Sequence, residues 1–233
     1  MSPTTTSKDG QRIEWAHVVA SGAQAKDFLQ GQLTQDLNGL DEQPRWSLVL
    51  APDSVVIASC LVARQGGDIV LSVERSMANA LCERLARFLL RSDCQLSLVE
   101  VETGPFVDEG ERVRANWPGP AEFATRLTPH SFGTTFVQST VSFTKGCFTG
   151  QELVGRLDAR GSSVPWRFVR ASGPSHERVD AVLTSKGPSG PQGLTTVLAL
   201  GGGVNGVGFA HRSLFGAPGE SVHADDVLVT AID

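Results

Sequence analysis

Three closely spaced apolar segments in the first third of the chain place the tightest limit on its fold. The segments are Trp46–Ala51, Ser54–Ala63 and Asp68–Val73, separated by only two and four residues. Each has the composition of a strand, and Gly66-Gly67-Asp68 is a hairpin signal. Because connections this short can join only neighbouring antiparallel strands, these segments predict an antiparallel sheet.

The segments on either side of these strands complete an α/β pattern. Strands are predicted at Ile13–Ala20 and Cys94–Val101, with a short helix opening after Ser21 and Gly22. The clearest helix is Ser76–Arg91, in which apolar residues recur at helical spacing: Met77, Leu81, Leu85, Phe88 and Leu89. Residues 103–130 are rich in Pro and Gly and are expected to form loops.

The C-terminal third has a different sequence pattern, in which short apolar runs are interrupted by Gly, Pro and Ser. The predicted strands there are Trp166–Ala171, Val179–Leu183, Leu194–Leu200, Val207–Ala210 and Val227–Ile232. Short strands at this spacing are typical of a small barrel or sandwich. We therefore predict an α+β fold, with an α/β domain over residues 1–160 and a C-terminal β-barrel over residues 161–233.

Composition excludes several classes of function. The net charge of −5 disfavours a grip on nucleic-acid phosphates, which needs a basic face. The four cysteines form no Cys-x-x-Cys pair, and the histidines are scattered, so no metal site is predicted. With no apolar run long enough for a membrane span and a polar N-terminus, the expected compartment is a reducing cytoplasm.

The segment Lys145-Gly146-Cys147-Phe148-Thr149-Gly150-Gln151-Glu152 carries the most chemistry. Thr149 followed by Glu152 is a capping-box signature, which predicts an N-cap at Thr149 and a helix through Ala159. Cys147 would then lie at the positive end of that helix, with the Lys145 ammonium nearby. Both effects favour the thiolate and predict a reactive cysteine. The alternative is a small buried hydrophobic residue, and the two readings are evenly matched on these residues.

The same eight residues resemble the signature K-G-C-[YF]-x-G-Q-E of the YgfZ/GcvT-type folate-binding family, specifically of its YgfZ branch. A second element, Gln30-Gly31-Gln32-Leu33-Thr34-Gln35-Asp36, resembles that family's Q-G-Q-[VL]-T-x-D. Trp15 lies where such proteins often carry a tryptophan beside the folate. The likeness extends through Arg156 and Arg160-Gly161 and covers most of the chain.

The resemblance implies a GcvT-like domain that binds tetrahydrofolate or a one-carbon derivative, followed by a small barrel. It implies an accessory role in the assembly or repair of iron–sulfur clusters, with client proteins that include tRNA-modifying enzymes. Cys147 and Lys145 would be the catalytic pair. The residues implied in cofactor binding are Trp15, Gln32, Thr34, Asp36, Arg114, Asn116, Trp117, Gln151, Glu152 and Arg156.

The sequence departs from the family at three places. Ser59 lies where related aminomethyltransferases use an aspartate, and a serine cannot supply that carboxylate. The family element R-[IL]-E-x-G-x-P finds its nearest match at Arg114–Pro120, where Asn116 replaces the acid that would accept two hydrogen bonds from the pterin. The chain also lacks a segment that longer members carry between Glu102 and Glu111.

Two other functions therefore stay open beside the accessory role. One is aminomethyl or other one-carbon transfer, against which Ser59 and Asn116 argue. The other is a scaffold that binds folate without using the thiol.

Overall fold

The structure, a computed structural model, describes residues 5–8, 11–40, 43–161, 164–200, 202–216 and 219–233. The chain divides into two compact units, each built from separate stretches of sequence. We call residues 13–107 and 137–159 the five-stranded unit, and residues 1–12, 108–136 and 160–233 the six-stranded unit. The predicted domains 1–160 and 161–233 stay a prediction.

The five-stranded unit confirms the antiparallel sheet. Its strands are β2 (Trp15–Ser21), β3 (Arg45–Leu50), β4 (Val56–Gln65), β5 (Asp68–Glu74) and β6 (Gln95–Val101). The spatial order is β3-β4-β5-β2-β6, with every neighbouring pair antiparallel. The predicted hairpin is present, since Gln65 pairs with Asp68 across Gly66, whose φ is 61°.

Three helices belong to this unit: α1 (Ala25–Gln30), α2 (Arg75–Ala86) and α6 (Gln151–Ala159). A further helix, α5 (Thr134–Thr140), has residues 137–140 in this unit and residues 134–136 in the six-stranded unit. Leu81 and Leu85 of α2 are completely buried, as the helical spacing predicted. The helix ends at Ala86 and not, as predicted, at Arg91: Phe88 is 45% exposed, and the left-handed backbone of Arg91 (φ 66°) is incompatible with a helix through that residue.

The six-stranded unit joins an N-terminal strand to the C-terminal ones. Its strands are β1 (Thr5–Lys8), β7 (Trp166–Gly173), β8 (Gly193–Leu200), β9 (Gly203–His211), β10 (Ser221–Ala224) and β11 (Val227–Ala231). The order is β1-β8-β9-β7-β11-β10, with β1 parallel to β8 and the other pairs antiparallel. Within the described residues β1 and β10 do not pair, so a closed barrel is not confirmed.

One predicted strand of this unit is a helix. Val179–Leu183 lies in α7 (His176–Leu183), which begins after Ser175. The Ser175 hydroxyl accepts from the Arg178 amide at 3.3 Å, as an N-cap does. Val179 and Leu183, four residues apart, are completely buried on one face. The strand prediction failed because a short apolar run does not distinguish a strand from a buried helix.

The segment expected to be loops also contains helices. They are α3 (Glu109–Arg114), α4 (Pro120–Phe123) and a 3₁₀ turn at Pro129–Phe132, and a second 3₁₀ turn follows β9 at Arg212–Leu214. The Asp108 carboxylate caps α3 by accepting from the Glu111 amide at 2.8 Å. Phe132 is completely buried against Phe168 and Phe209, so this segment supplies core to its unit.

None of the helices in the described ranges is long and apolar enough to cross a membrane.

Candidate functional site

The cysteine segment (Lys145–Glu152) and the segment that resembles Q-G-Q-[VL]-T-x-D lie together in the five-stranded unit. We call the latter, Gln30–Asp36, the 30–36 loop. The Lys145 ammonium connects the two segments. Its Nζ donates to the backbone carbonyls of Gln30 at 2.5 Å, Leu33 at 2.7 Å and Gln35 at 3.1 Å. All three N–H donors of the ammonium are thereby matched to the loop.

Burial lowers the pKa of Lys145 to about 8, and the nearby Asp36 carboxylate acts in the opposite direction. The predicted catalytic role of Lys145 stays a prediction. The geometry supports a positioning role, because every N–H that the ammonium can donate is directed at the 30–36 loop.

The two end residues of the 30–36 loop, Gln30 and Asp36, are hydrogen-bonded to each other. Gln30 donates to the Asp36 carboxylate at 2.8 Å and accepts from the Leu37 amide at 2.9 Å. Asp36 also accepts from the Asn38 amide at 3.0 Å. The Asn38 amide and then the Gln30 side chain lower the pKa of Asp36, so this carboxylate is anionic at neutral pH.

Thr34 fastens the loop to the sheet. Its hydroxyl, which is completely buried, donates to the Thr140 carbonyl at 2.6 Å and accepts from the Leu48 amide at 2.8 Å. The Thr34 amide donates in turn to the Leu48 carbonyl at 3.1 Å. The hydroxyl is therefore committed to backbone groups, which makes Thr34 part of the framework of the site.

A second set of contacts holds the far end of the cysteine segment. The Thr149 amide donates to the Gly31 carbonyl at 3.2 Å, and the Thr149 hydroxyl donates to Gln32 Oε1 at 3.4 Å. Gln32 Oε1 also accepts from Arg84 of α2 at 3.2 Å. The segment is thus bound to the loop on both sides of Cys147.

The predicted N-cap at Thr149 is wrong, because its hydroxyl bonds to Gln32 and α6 begins two residues later at Gln151. Gly150 has a φ of 80° and lies so close to β3 that a Cβ there would come within 2.7 Å of the Ala51 carbonyl oxygen. Ser54 donates to the Gly150 carbonyl at 2.6 Å. Only glycine combines this backbone with this approach, so Gly150 sets the start of the helix.

Cys147 is exposed, which excludes the alternative of a buried hydrophobic residue. The buried member of the segment is Phe148, whose ring lies 5.4 Å from the Lys145 ammonium. The Phe148 amide donates to Gln151 Oε1 at 3.3 Å, which directs the Gln151 side chain back along the segment. Cys147 is thus accessible to solvent between two anchored residues, Lys145 and Phe148.

The remaining residues predicted in this unit differ sharply in exposure. The Glu152 and Arg156 side chains are 88% and 57% exposed and lie 3.8 Å apart on α6. Trp15 is buried, donates from Nε1 to the Phe106 carbonyl at 2.9 Å and packs directly against Gly104. Glu152 and Arg156 are therefore open to a ligand, whereas Trp15 serves the core.

The other three predicted residues, Arg114, Asn116 and Trp117, belong to the six-stranded unit. Asn116 follows α3 with a left-handed backbone (φ 55°), the conformation that glycine or asparagine adopts after a helix. This favours a register two residues earlier for R-[IL]-E-x-G-x-P, running from Arg112 to Pro118. Asn116 then takes the glycine position, and Arg114 takes the position of the acid.

One buried ion pair was missed by sequence reasoning. Glu122 is completely buried and accepts from Arg112 Nη1 at 3.0 Å and from the Gly119 amide at 2.7 Å. Its other oxygen accepts from the hydroxyls of Thr195 at 2.6 Å and Thr196 at 2.7 Å. The sequence signal was Gly119-Pro120 with a glutamate two residues on, typical of a helix start.

An open cavity of about 310 Å³ lies in the five-stranded unit. Its lining includes Leu37, Ile69, Lys26 and Arg64 but neither Lys145 nor Cys147. The cavity therefore does not supply a binding space at the thiol.

Comparisons with known proteins bear on the fold. No protein-family model matches the chain, and no curated protein matches its sequence significantly. Solved structures do match, among them glycine cleavage system aminomethyltransferase T (GcvT) from Bartonella henselae, with a TM-score of 0.60 and 14% sequence identity. That match covers 94% of this chain and 83% of the other. At this identity the likeness shows the fold alone: the chain has a GcvT-like fold.

Proposed function

We propose that this protein binds a tetrahydrofolate and acts as an accessory protein in the assembly or repair of iron–sulfur clusters, with Cys147 as its essential thiol. The observation that carries the proposal is the exposed Cys147 on a segment tied to the 30–36 loop at Lys145 and Thr149. The GcvT-like fold supports it, as does the resemblance of both segments to signatures of the YgfZ branch. Its partners would be iron–sulfur client proteins, in the cytoplasm.

Aminomethyl transfer is the weaker candidate. Ser59 is 5% exposed within β4, where its backbone pairs with Leu48. A buried hydroxyl there supplies neither the charge nor the basicity of a carboxylate.

The residues present fit tetrahydrofolate only in part. The donor edge of a pterin is best matched by a carboxylate, which accepts two hydrogen bonds at once. The Arg112–Pro118 register puts Arg114 at that position, and an arginine only donates. The exposed Arg156 suits the carboxylates of the glutamate tail. The pterin-recognition element thus lacks its acceptor.

This mismatch gives a test of folate binding by titration of the purified protein with tetrahydrofolate. Arg114→Glu restores the acceptor and is expected to tighten binding about tenfold, a gain of roughly 1.4 kcal/mol. Asn116→Glu is the matched control, because a left-handed backbone disfavours glutamate and the acid would lie at the glycine position. If neither the wild type nor Arg114→Glu binds tetrahydrofolate at millimolar concentration, the folate part of the proposal is rejected.

The role of the thiol is tested separately, in cells that lack the native protein. Cys147→Ala and Cys147→Ser are expected to lose the restored activity of a cluster-dependent enzyme, since neither side chain supplies a thiolate. Cys82→Ser is the control, because burial raises the pKa of that thiol and makes it a poor nucleophile. Full rescue by both Cys147 variants would reject the thiol and leave a folate-binding scaffold.

A further inference from the structure

The two edges of the sheet in the five-stranded unit are treated differently. The outer edge of β3 is covered by the 30–36 loop: Leu33 bridges to Val49, and Thr34 bonds to both backbone groups of Leu48. At the opposite edge, no strand in the described part of the chain pairs with the outer side of β6. The backbone donors and acceptors along that side are available to another strand.

The β6 edge has little of the usual protection against pairing. Proteins guard exposed edges with charged side chains, especially lysine, with proline or with a bulge, and Glu100 is the one charged residue of β6. The β6 sequence, Gln-Leu-Ser-Leu-Val-Glu-Val, has neither lysine nor proline, and its seven residues pair with β2 in unbroken register. Leu98 is 37% and Val99 48% exposed, and they project to opposite faces of the strand. The edge is long, regular and apolar at its centre.

We propose that β6 pairs with β6 of a second copy of this chain, antiparallel, to form a symmetric dimer with a continuous sheet. In an antiparallel pair, residues opposite one another lie on the same face of the sheet, and two-fold symmetry makes the pairing identical in the two copies. The centre of the pairing must therefore be a residue that lies opposite the same residue of the second copy. All seven residues are paired only when that residue is Leu98, which sets Gln95 opposite Val101. Glu100, the only charged residue of the strand, then faces Leu96 and meets no like charge.

The charges that flank β6 suit this arrangement. The segment before the strand carries Arg87, Arg91 and Asp93, a net charge of +1, and all three are exposed. The far end of the strand carries the exposed Glu100 and Glu102. Arg75 pairs with Glu100 at 3.1 Å, so these three residues carry a net charge of −1. Antiparallel pairing sets the positive end of one copy beside the negative end of the other, which favours a second copy over a peptide of arbitrary charge.

The test exploits the self-pairing of Leu98. Sedimentation equilibrium of the full-length protein is expected to show a dimer for the wild type. Leu98→Lys and Leu98→Glu each set two like charges opposite one another, and each is expected to raise the dissociation constant at least about tenfold. An equimolar mixture of the two variants is expected to form a heterodimer, which shows that both are folded. Leu228→Lys on β11 is the matched control, because Leu228 is also 37% exposed and lies on a strand with neighbours on both sides.

Three outcomes overturn the proposal: a wild type that stays monomeric at millimolar concentration, a mixture that stays monomeric, or an equal effect of Leu228→Lys. A monomeric wild type that binds an added extended peptide along β6 would also overturn it, in favour of peptide capture.

Discussion

Replacing Glu122 by alanine is expected to lower the free energy of unfolding by about 3–5 kcal/mol, the largest effect of any single substitution considered. The substitution removes the completely buried partner of the Arg112 guanidinium, which is only 1% exposed, and leaves Glu109 at the longer distance of 3.8 Å. It also removes the acceptor for the Gly119 amide and for the hydroxyls of Thr195 and Thr196. Urea unfolding followed by circular dichroism measures the loss.

The structure of β8 explains why so many donors reach one carboxylate. Successive side chains of a regular strand project to opposite faces. The register of β8 with β9 shifts between Leu194 and Thr196, and this irregularity allows adjacent threonines to bond to the same oxygen. Glu122 thereby joins α4 to β8.

Two controls isolate the buried charge in this experiment. Asp226→Ala removes one acid of the exposed Arg178 pair in the same unit, where Nη2 and Oδ1 are 3.2 Å apart, and is expected to cost far less than Glu122→Ala because water screens the pair. Adding Arg112→Met to Glu122→Ala removes the guanidinium charge that has lost its Glu122 partner. The double variant should therefore lose less free energy of unfolding than the sum of the two single losses. A Glu122→Ala loss below about 1 kcal/mol, or strictly additive losses, would contradict this account.

Lys145→Met is expected to lower the free energy of unfolding by about 3 kcal/mol. Methionine keeps an unbranched apolar stem but donates nothing to the carbonyls of Gln30, Leu33 and Gln35. Those carbonyls lose a charged donor in a partly buried place, and the cysteine segment loses its first attachment to the 30–36 loop. The substitution should therefore loosen the cysteine segment as well as lower the free energy of unfolding of the protein.

Hydrogen exchange provides the local measurement. The Thr149 amide bonds to the Gly31 carbonyl across the same junction, so its exchange is expected to be roughly 30-fold faster in Lys145→Met, equivalent to about 2 kcal/mol. Lys26→Met is the control, because Lys26 is an exposed lysine of the same unit. Unchanged exchange at Thr149, with stability equal to that of the control, would show that the ammonium does not hold the segment.

Local patterns were sufficient to predict the sheet of the five-stranded unit. The strands from Trp46 to Val73 are short, nearly continuous apolar runs joined by turns whose residues are typical of hairpins. The helix around Leu81 and Leu85 was predicted for the same reason, since its apolar face repeats over several turns. Where the apolar run was short, as in Val179–Leu183, the pattern was ambiguous, and the Ser175 cap decided for a helix.

The candidate site shows the limit of local patterns. Its residues were predicted from their order along the chain, but the hydrogen bonds that they make were not. The capping box at Thr149 is a local motif, and the structure does not contain it. The Thr149 hydroxyl donates to Gln32 instead, and the close approach of the Ala51 carbonyl leaves no room for a side chain at Gly150. The charge of Lys145 was expected to act on the neighbouring thiol, and its N–H groups instead bind carbonyls more than 100 residues away in sequence.

By itself, the sequence determined which segments pair as hairpins, which helix faces are apolar and which short segments carry polar chemistry, because these properties depend on residues a few positions apart. Only the tertiary structure decided that Cys147 is exposed, that Lys145 holds a loop, that Glu122 is buried with Arg112 and that β6 is an uncovered edge. Each of those outcomes depends on groups distant in sequence that compete for the same hydrogen bonds, charges and buried space, and a local pattern does not contain that competition.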